Sequence, residues 1–426
     1  MISMSSLLLL LAILLHCPWT HAETNTNISG QGEDNSIHLS LHSTHLNQTL
    51  TADVYLPKGY YLDAQHIRYP VIYTLDSWTL AELVSGMTRH LGNTASMPKS
   101  IVVALYSEGD LRIAPKLYKS QSGLPGNAED QTFWGEDADK YLAFLQDELL
   151  PEVDKRFRTH EFRVLIGMSP TAAFALHSLI QKPDLFDAHF LFAAASVVGM
   201  GYTPDSSLTD SLVNTLAKRP EHKGYLYVAS AGSDAEEAPS QPAILQGLKN
   251  RLAAFGQYRV RTEQIDGFGH YPMAAPALLS ALDLVFPREH FDIGLNFNAF
   301  RANPEGGTML EQIDRHYAFL SRLVGFKVWP NADIPRNSDS LRAAAMMLRQ
   351  EQRYEEALAL GKRWVELQPS SAKALAALAA TYQAAGQLSM AEDLMARAIP
   401  LAKANQDPLL AHYQQMATEL ANPNQD

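Results

Sequence analysis

Cysteine is nearly absent from this chain of 426 residues: the single one, Cys17, sits inside an N-terminal apolar run. Without a second thiol there is no disulfide framework and no cysteine-built metal site. Basic charge is also scarce, with 34 Lys and Arg against 46 Asp and Glu, a formal net charge of −12. A broad nucleic-acid footprint needs clustered cations, and an anionic membrane surface needs a basic face; neither is present. Long apolar runs are missing too. Residues 7–15 read LLLLLAILL, about half the ~20 residues that span a bilayer. The longest later stretch, Phe190 to Tyr202, is broken by Ser196 and two glycines and reads as a buried strand with a following loop. No helical His-Glu pair of the zinc-protease kind occurs, and no metal or cofactor is expected. With 46% hydrophobic and 19% charged residues, the chain has the composition of a folded globular protein.

The short apolar run fits a secretory signal, with Thr20 and Ala22 as small residues for cleavage after Ala22. Residues 1–22 are therefore expected to be removed on export to the periplasm or beyond. From Glu23 the chain is polar. Period-two alternation begins at Ile37-His38-Leu39-Ser40-Leu41 and returns over Leu50 to Leu56, as in antiparallel strands. Fully apolar runs follow at Val71–Leu75, Ile101–Leu105, Val164–Ile166 and Tyr225–Val228, the pattern of strands covered on both faces. Helical patterns separate them, the clearest from Asp137 to Phe157, where Tyr141, Phe144, Leu145, Leu149 and Val153 recur at three and four residues. Such alternation predicts an α/β fold with a mostly parallel sheet over residues 23–290.

Past residue 335 strand signals vanish and alanine dominates. Ala345 and Ala379, Leu348 and Tyr382, Tyr354 and Leu388, and Ala357 and Ala391 are each 34 residues apart, the period of the tetratricopeptide (TPR) helix pair. Residues 336–426 are thus expected to form a small all-α TPR-like region, joined by a connector at 291–335 and leaning on the preceding domain. Gly361 departs from the repeat, standing where a large apolar residue is usual. Such a region suits a protein partner, self-association or a lid.

The chemistry concentrates in Val164-Leu165-Ile166-Gly167-Met168-Ser169-Pro170-Thr171-Ala172: a buried strand, a sharp turn, then a helix of small residues. This is the setting of the nucleophile elbow G-x-S-x-G of the α/β-hydrolase fold, with Thr171 in place of the second glycine. An acid and a histidine are then required in that order. Asp234, following the strand Tyr225–Val228, is the candidate acid, with Glu236 and Glu237 as alternatives; His270, in Gly267-Phe268-Gly269-His270, is the candidate base before the helix Ala274 to Val285. Elsewhere, His42 and His45 read as solvated surface. Phe133–Trp134 is a candidate pocket lining or a packed loop aromatic, and Arg112 and Lys116 are candidate contacts to an anionic group or plain solvated charges.

On these motifs, with Val54-Tyr55-Leu56-Pro57, Tyr69-Pro70-Val71-Ile72-Tyr73-Thr74-Leu75-Asp76 and Phe144-Leu145-Gln146-Asp147-Glu148-Leu149-Leu150-Pro151, residues from about 36 to 287 resemble esterases of the esterase D type. That family includes siderophore, feruloyl and acetylxylan esterases and S-formylglutathione hydrolases. The resemblance implies an ester substrate, Ser169 as nucleophile, His270 as base, Asp234 as orienting acid and one oxyanion donor from the backbone at Ser77 or Trp78. The second donor is normally the N–H after the nucleophile, and here that residue is Pro170, which has none. Proline also disfavours the helical region for its predecessor and is expected to pull Ser169 toward extended backbone. Thr171, through its N–H or its hydroxyl, is the replacement donor. Two readings follow: an exported serine esterase with a weakened oxyanion hole, or a hydrolase-fold binding protein acting through its helical region.

Overall fold

The alternating segments near the start become β1 (Ser36–Ser43) and β2 (Gln48–Tyr55), an antiparallel pair. The computed structural model describes residues 36–106, 113–118, 135–291, 304–333 and 340–422. The expected signal at 1–22, Arg112 and Phe133–Trp134 lie outside the described residues. The apolar runs become β3 (Tyr69–Thr74), β4 (Ile101–Tyr106), β5 (Thr159–Met168), β6 (Ala188–Phe192) and β7 (Gly224–Ala231), and β8 (Tyr258–Ile265) follows. They assemble in the order β1-β2-β4-β3-β5-β6-β7-β8. β2 pairs antiparallel with β4, and from β4 to β8 every pairing is parallel. Every residue of β3 and β6 is buried, as a strand sandwiched between helix layers must be. β8, Tyr-Arg-Val-Arg-Thr-Glu-Gln-Ile, buries only Tyr258 and closes one edge with charge.

Helices cover the faces. α1 (Ser77–Asn93) follows β3; α2 (Ala138–Phe144) and α3 (Leu150–Arg156) run together through a π-helical turn at Leu145–Leu149, as the period across 137–157 predicts. α4 (Pro170–Gln181) follows β5. After β6 the chain forms a short helix, α5 (Ala195–Gly199), where the sequence suggested a loop. Its Ala195, Val197 and Val198 are all buried, and a helix of five residues carries no readable period. Next come α6 (Leu208–Ala217), α7 (Gly232–Glu237), α8 (Gln241–Leu252), α9 (Ala274–Val285) and α10 (Arg288–Phe291).

Among the described residues the remainder is helical: α11 (Met309–Val324), opened by a reciprocal Thr308–Glu311 capping box, then α12 (Leu341–Gln350), α13 (Tyr354–Leu367), α14 (Ala372–Ala384), α15 (Leu388–Ala404) and α16 (Leu410–Ala421). Ala345, Ala357, Ala379 and Ala391 are buried between these helices. At Gly361 an added Cβ would stand 2.8 Å from Leu378 Cδ1, so the absent side chain lets α13 approach α14. The apolar core is continuous from Leu39 in β1 through Trp364 and Leu367 in α13, while a second cluster joins α14, α15 and α16.

A polar knot ties the end of α13 to the amino-terminal edge of the parallel strands. Arg158 donates to the carbonyls of Asp63 and Ala64, both at 2.7 Å, and to that of Tyr60, with its guanidinium 4.2 Å from the Tyr60 ring. Asp63, 6% exposed, accepts from Tyr69 Oη and Gln368 Nε2, each at 2.7 Å, and lies 3.4 Å from Lys99 Nζ. Ala64 N–H donates to Leu367 O at 2.8 Å. Buried charge is tolerated only when so fully bonded.

Candidate active site

Ser169 begins as an interruption. β5 runs buried to Met168, and the next residue takes φ 54° and ψ −115° before α4 starts at Pro170. A side chain at positive φ costs about 1–3 kcal/mol. The expectation that Pro170 would draw Ser169 toward extended backbone is not met. The ring disfavours the right-handed helical region for its predecessor, and ψ −115° lies outside that region. Proline meanwhile suits the first helical position, where an N–H has no intrahelical acceptor. Gly167 is required by space: an added Cβ would lie 2.4 Å from Thr171 O and 2.8 Å from Ala172 N.

Thr171 turns back into the elbow. Its Oγ accepts the Met168 N–H at 2.9 Å and donates to Asp76 Oδ2. The hydroxyl expected as an oxyanion donor is therefore committed elsewhere, which leaves the Thr171 N–H, at the second position of α4 and without an intrahelical acceptor. Asp76 caps α1 from the left-handed region, φ 53° and ψ 45°, and its carbonyl accepts from Thr79 and Leu80. The Ser77 and Trp78 N–H groups, first in that helix, likewise lack intrahelical acceptors. Burial pushes the Asp76 carboxyl up to about 6, against the lowering effect of its bonds to Thr171 and the Met168 N–H.

The other two residues leave neighbouring strands at the same edge. Asp234 lies in α7, directly after β7, and His270 follows β8. His270 Nδ1 is 2.9 Å from Asp234 Oδ2 and 3.1 Å from Oδ1. Glu236 and Glu237 are exposed. The two segments are stitched by Ser233 N–H donating to Phe268 O at 3.3 Å. The Tyr271 ring packs edge-on against His270 at 5.1 Å and against Trp78 at 6.1 Å, so the histidine loop closes onto α1. Trp78 (71% exposed), Tyr271 (57%) and Phe268 (41%) form an aromatic rim. Among the described residues the Ser169 hydroxyl makes no hydrogen bond.

Other candidates make no contact with Asp234 or His270 among the described hydrogen bonds and ion pairs. His42, His45 and Lys116 are exposed, with His45 Nε2 3.1 Å from Asp147. A cleft lined by Asp63, Lys99, Tyr317, Lys327, Trp329 and Asn331 opens at the seam with the helical region, beside the starts of β3 and β4. It contains none of Ser169, Asp234 or His270. The Asp76 carboxylate was not singled out from sequence as a functional group; its signal was an acidic residue closing a buried strand ahead of a helix.

A family model described as "Putative esterase" matches residues 43–255, half of the chain, a span that includes Ser169 and Asp234 but not His270. Among solved structures, an IroE-like serine hydrolase from Shewanella oneidensis is 21% identical, with TM-score 0.54 over 76% of this chain and 97% of its own. An uncharacterised protein from Capnocytophaga ochracea is 16% identical, with TM-score 0.49 over 91% and 99%. The siderophore hydrolase EstA from Aspergillus nidulans is 15% identical, with TM-score 0.47 over 62% and 97%. No curated protein sequence matches the chain.

Proposed function

Since the chain belongs to the Putative esterase family of α/β hydrolases, we propose that it is an exported serine hydrolase cleaving carboxylic esters through an acyl-enzyme at Ser169. The observation that carries this reading is the backbone of Ser169, held at φ 54° despite Pro170, at the strand edge where His270 meets Asp234. In the reaction, Ser169 Oγ attacks the ester carbonyl carbon while His270 Nε2 takes its proton. Asp234 holds the Nδ1–H tautomer and stabilises the imidazolium. The carbonyl oxygen becomes an oxyanion among the N–H groups of Ser77 or Trp78 and Thr171, where the amino ends of α1 and α4 contribute favourable dipoles. Collapse expels the alcohol, which leaves with the proton from His270. A water activated by the same imidazole then releases the acid and regenerates Ser169. Pro170 removes the usual second donor, a loss that elsewhere costs about 10²–10³ in turnover.

Export rests on the apolar run at 7–15 and Ala22; the amino terminus of the protein recovered from a periplasmic fraction should read Glu23. The 34-residue spacing supports a TPR-like partner or self-association surface in α12 to α15. Pro170 favours a second reading, a hydrolase fold kept for binding alone. A panel of p-nitrophenyl esters separates the two: wild type should turn over at least one ester and Ser169→Ala none. Equal background rates for both proteins would favour the binding reading.

A further inference from the structure

The esterase reading gives no part in the reaction to the half-buried carboxylate of Asp76. It faces the underside of the nucleophile turn. Its Oδ2 accepts the Thr171 hydroxyl and lies 3.4 Å from the Met168 N. The Thr171 Oγ accepts that same N–H at 2.9 Å and has the Met168 carbonyl 3.1 Å away. A hydroxyl has one proton to give. With an anionic acceptor in direct contact, that proton goes to Asp76 rather than to the Met168 carbonyl. The lone pairs of Thr171 are then aimed at the Met168 N–H, and the peptide plane preceding Ser169 is fixed.

We infer that Asp76 and Thr171 form a side-chain clamp that holds the nucleophile turn in its strained conformation, with Asp76 as a positioning residue linking the start of α1 to the elbow. The inference rests on Ser169 being the nucleophile. Three features single out this pair. Thr171 stands where the elbow pattern has glycine, so the clamp is an addition of this chain. Pro170 gives the turn no N–H of its own, and the clamp supplies rigidity from the following residue. Asp76 also sets the backbone from which Ser77 and Trp78 present their N–H groups, so one residue registers both sides of the site. Asp76 itself keeps a left-handed backbone that Asn also tolerates. A carboxyl to amide change therefore tests the charge without breaking the turn.

Two measurements on the full-length chain decide it. The first is amide exchange of the peptide containing Met168, which reads the clamp independently of activity. Thr171→Val, which removes the hydroxyl and keeps the shape, should speed that exchange by about tenfold or more without lowering global protection. The second is the rate of fluorophosphonate labelling. Thr171→Val should label about 10- to 100-fold slower and Asp76→Asn about tenfold slower. The double variant should be no slower than the worse single one, because both cut the same contact. Thr171→Ser, with the hydroxyl restored, should recover most of the rate. Unchanged Met168 exchange in Thr171→Val, or fully multiplicative slowing in the double variant, would overturn the clamp. An unlabelled wild type would instead remove the nucleophile reading, while the exchange measurement still decides the contact.

Discussion

At the carboxyl-terminal edge of the parallel strands, three non-glycine residues leave β3, β5 and β6 at positive φ: Asp76 at 53°, Ser169 at 54° and Ala193 at 49°. At the opposite edge, beside Arg158 and Asp63, the chain is tied by bonds that satisfy every buried charge in view. Each positive φ costs about 1–3 kcal/mol, and each bond of the knot avoids a loss of similar size. One sheet thus carries strain where the proposed mechanism presents backbone N–H groups and a hydroxyl, and saturation where the helical region is anchored. Residues at the first edge should govern rate and those at the second stability.

The largest effect expected is on rate. Asp234→Asn should lower kcat by about 10⁴, because His270 then takes the wrong tautomer, with the melting temperature little changed. Glu236→Gln and Glu237→Gln should leave ester turnover within about twofold, as expected of exposed side chains that touch nothing in the site. Activity kinetics on the three variants check this, and a comparable loss in either glutamine variant would move the acid.

Next in size is the knot. Arg158→Ala takes its donor from the carbonyls of Tyr60 and Asp63, while that of Ala64 keeps the Ile67 N–H, and should destabilise the fold by about 3–5 kcal/mol in denaturant unfolding. Its kcat/KM under native conditions should stay within about threefold of wild type. A variant that keeps its stability but loses activity would erase the contrast between the edges.

A smaller effect concerns pH. The Asp76 carboxyl is raised from 3.8 to about 6, chiefly by burial; burial likewise holds the Tyr141 hydroxyl protonated, with the Asp76 charge adding to it. A carboxyl raised on folding binds more protons in the native state, so its contribution to stability is whole below the unfolded value and falls as pH rises toward 6. Asp76→Asn should therefore be more stable than wild type at pH 7, by about 2 kcal/mol, with the advantage gone below pH ~4. Chemical denaturation across pH 3.5–7 checks it; a variant less stable at pH 7 would make Asp76 a stabilising residue and contradict the sign.

The smallest lies in the helical region. Gly361→Ala gains helix propensity but pushes its new methyl toward the flexible end of Leu378, so a net loss of at most about 1 kcal/mol is expected in thermal unfolding. A loss several times larger would show that α13 and α14 cannot give.

Much of the first edge was legible because its demands are local. Gly167, Ser169 and the helix of small residues after them declare a tight turn; Asp234 declares itself by following a strand, and His270 by the two glycines before it and the helix after it, in the required order. The β-strands from β3 to β7 were legible for a related reason, since a strand buried on both faces must be apolar throughout. What stayed hidden depended on partners distant in sequence. The Thr171 hydroxyl looked like one possible oxyanion donor, beside the N–H of the same residue, until it was found on Asp76, 95 residues earlier. The knot joins Asp63 to Gln368, 305 residues apart, and no local pattern announces such a bond. β8 was hidden by charge: an edge strand covered on one side alternates Arg and Glu with apolar residues too weakly to stand out.

The central claim, that Ser169 is the nucleophile, is tested most directly by mass spectrometry of the purified protein after treatment with a fluorophosphonate. The account predicts one adduct per chain on the peptide containing Ser169, absent in Ser169→Ala and strongly slowed in His270→Ala. A folded wild-type protein that acquires no adduct, or carries it on a different side chain, would contradict it.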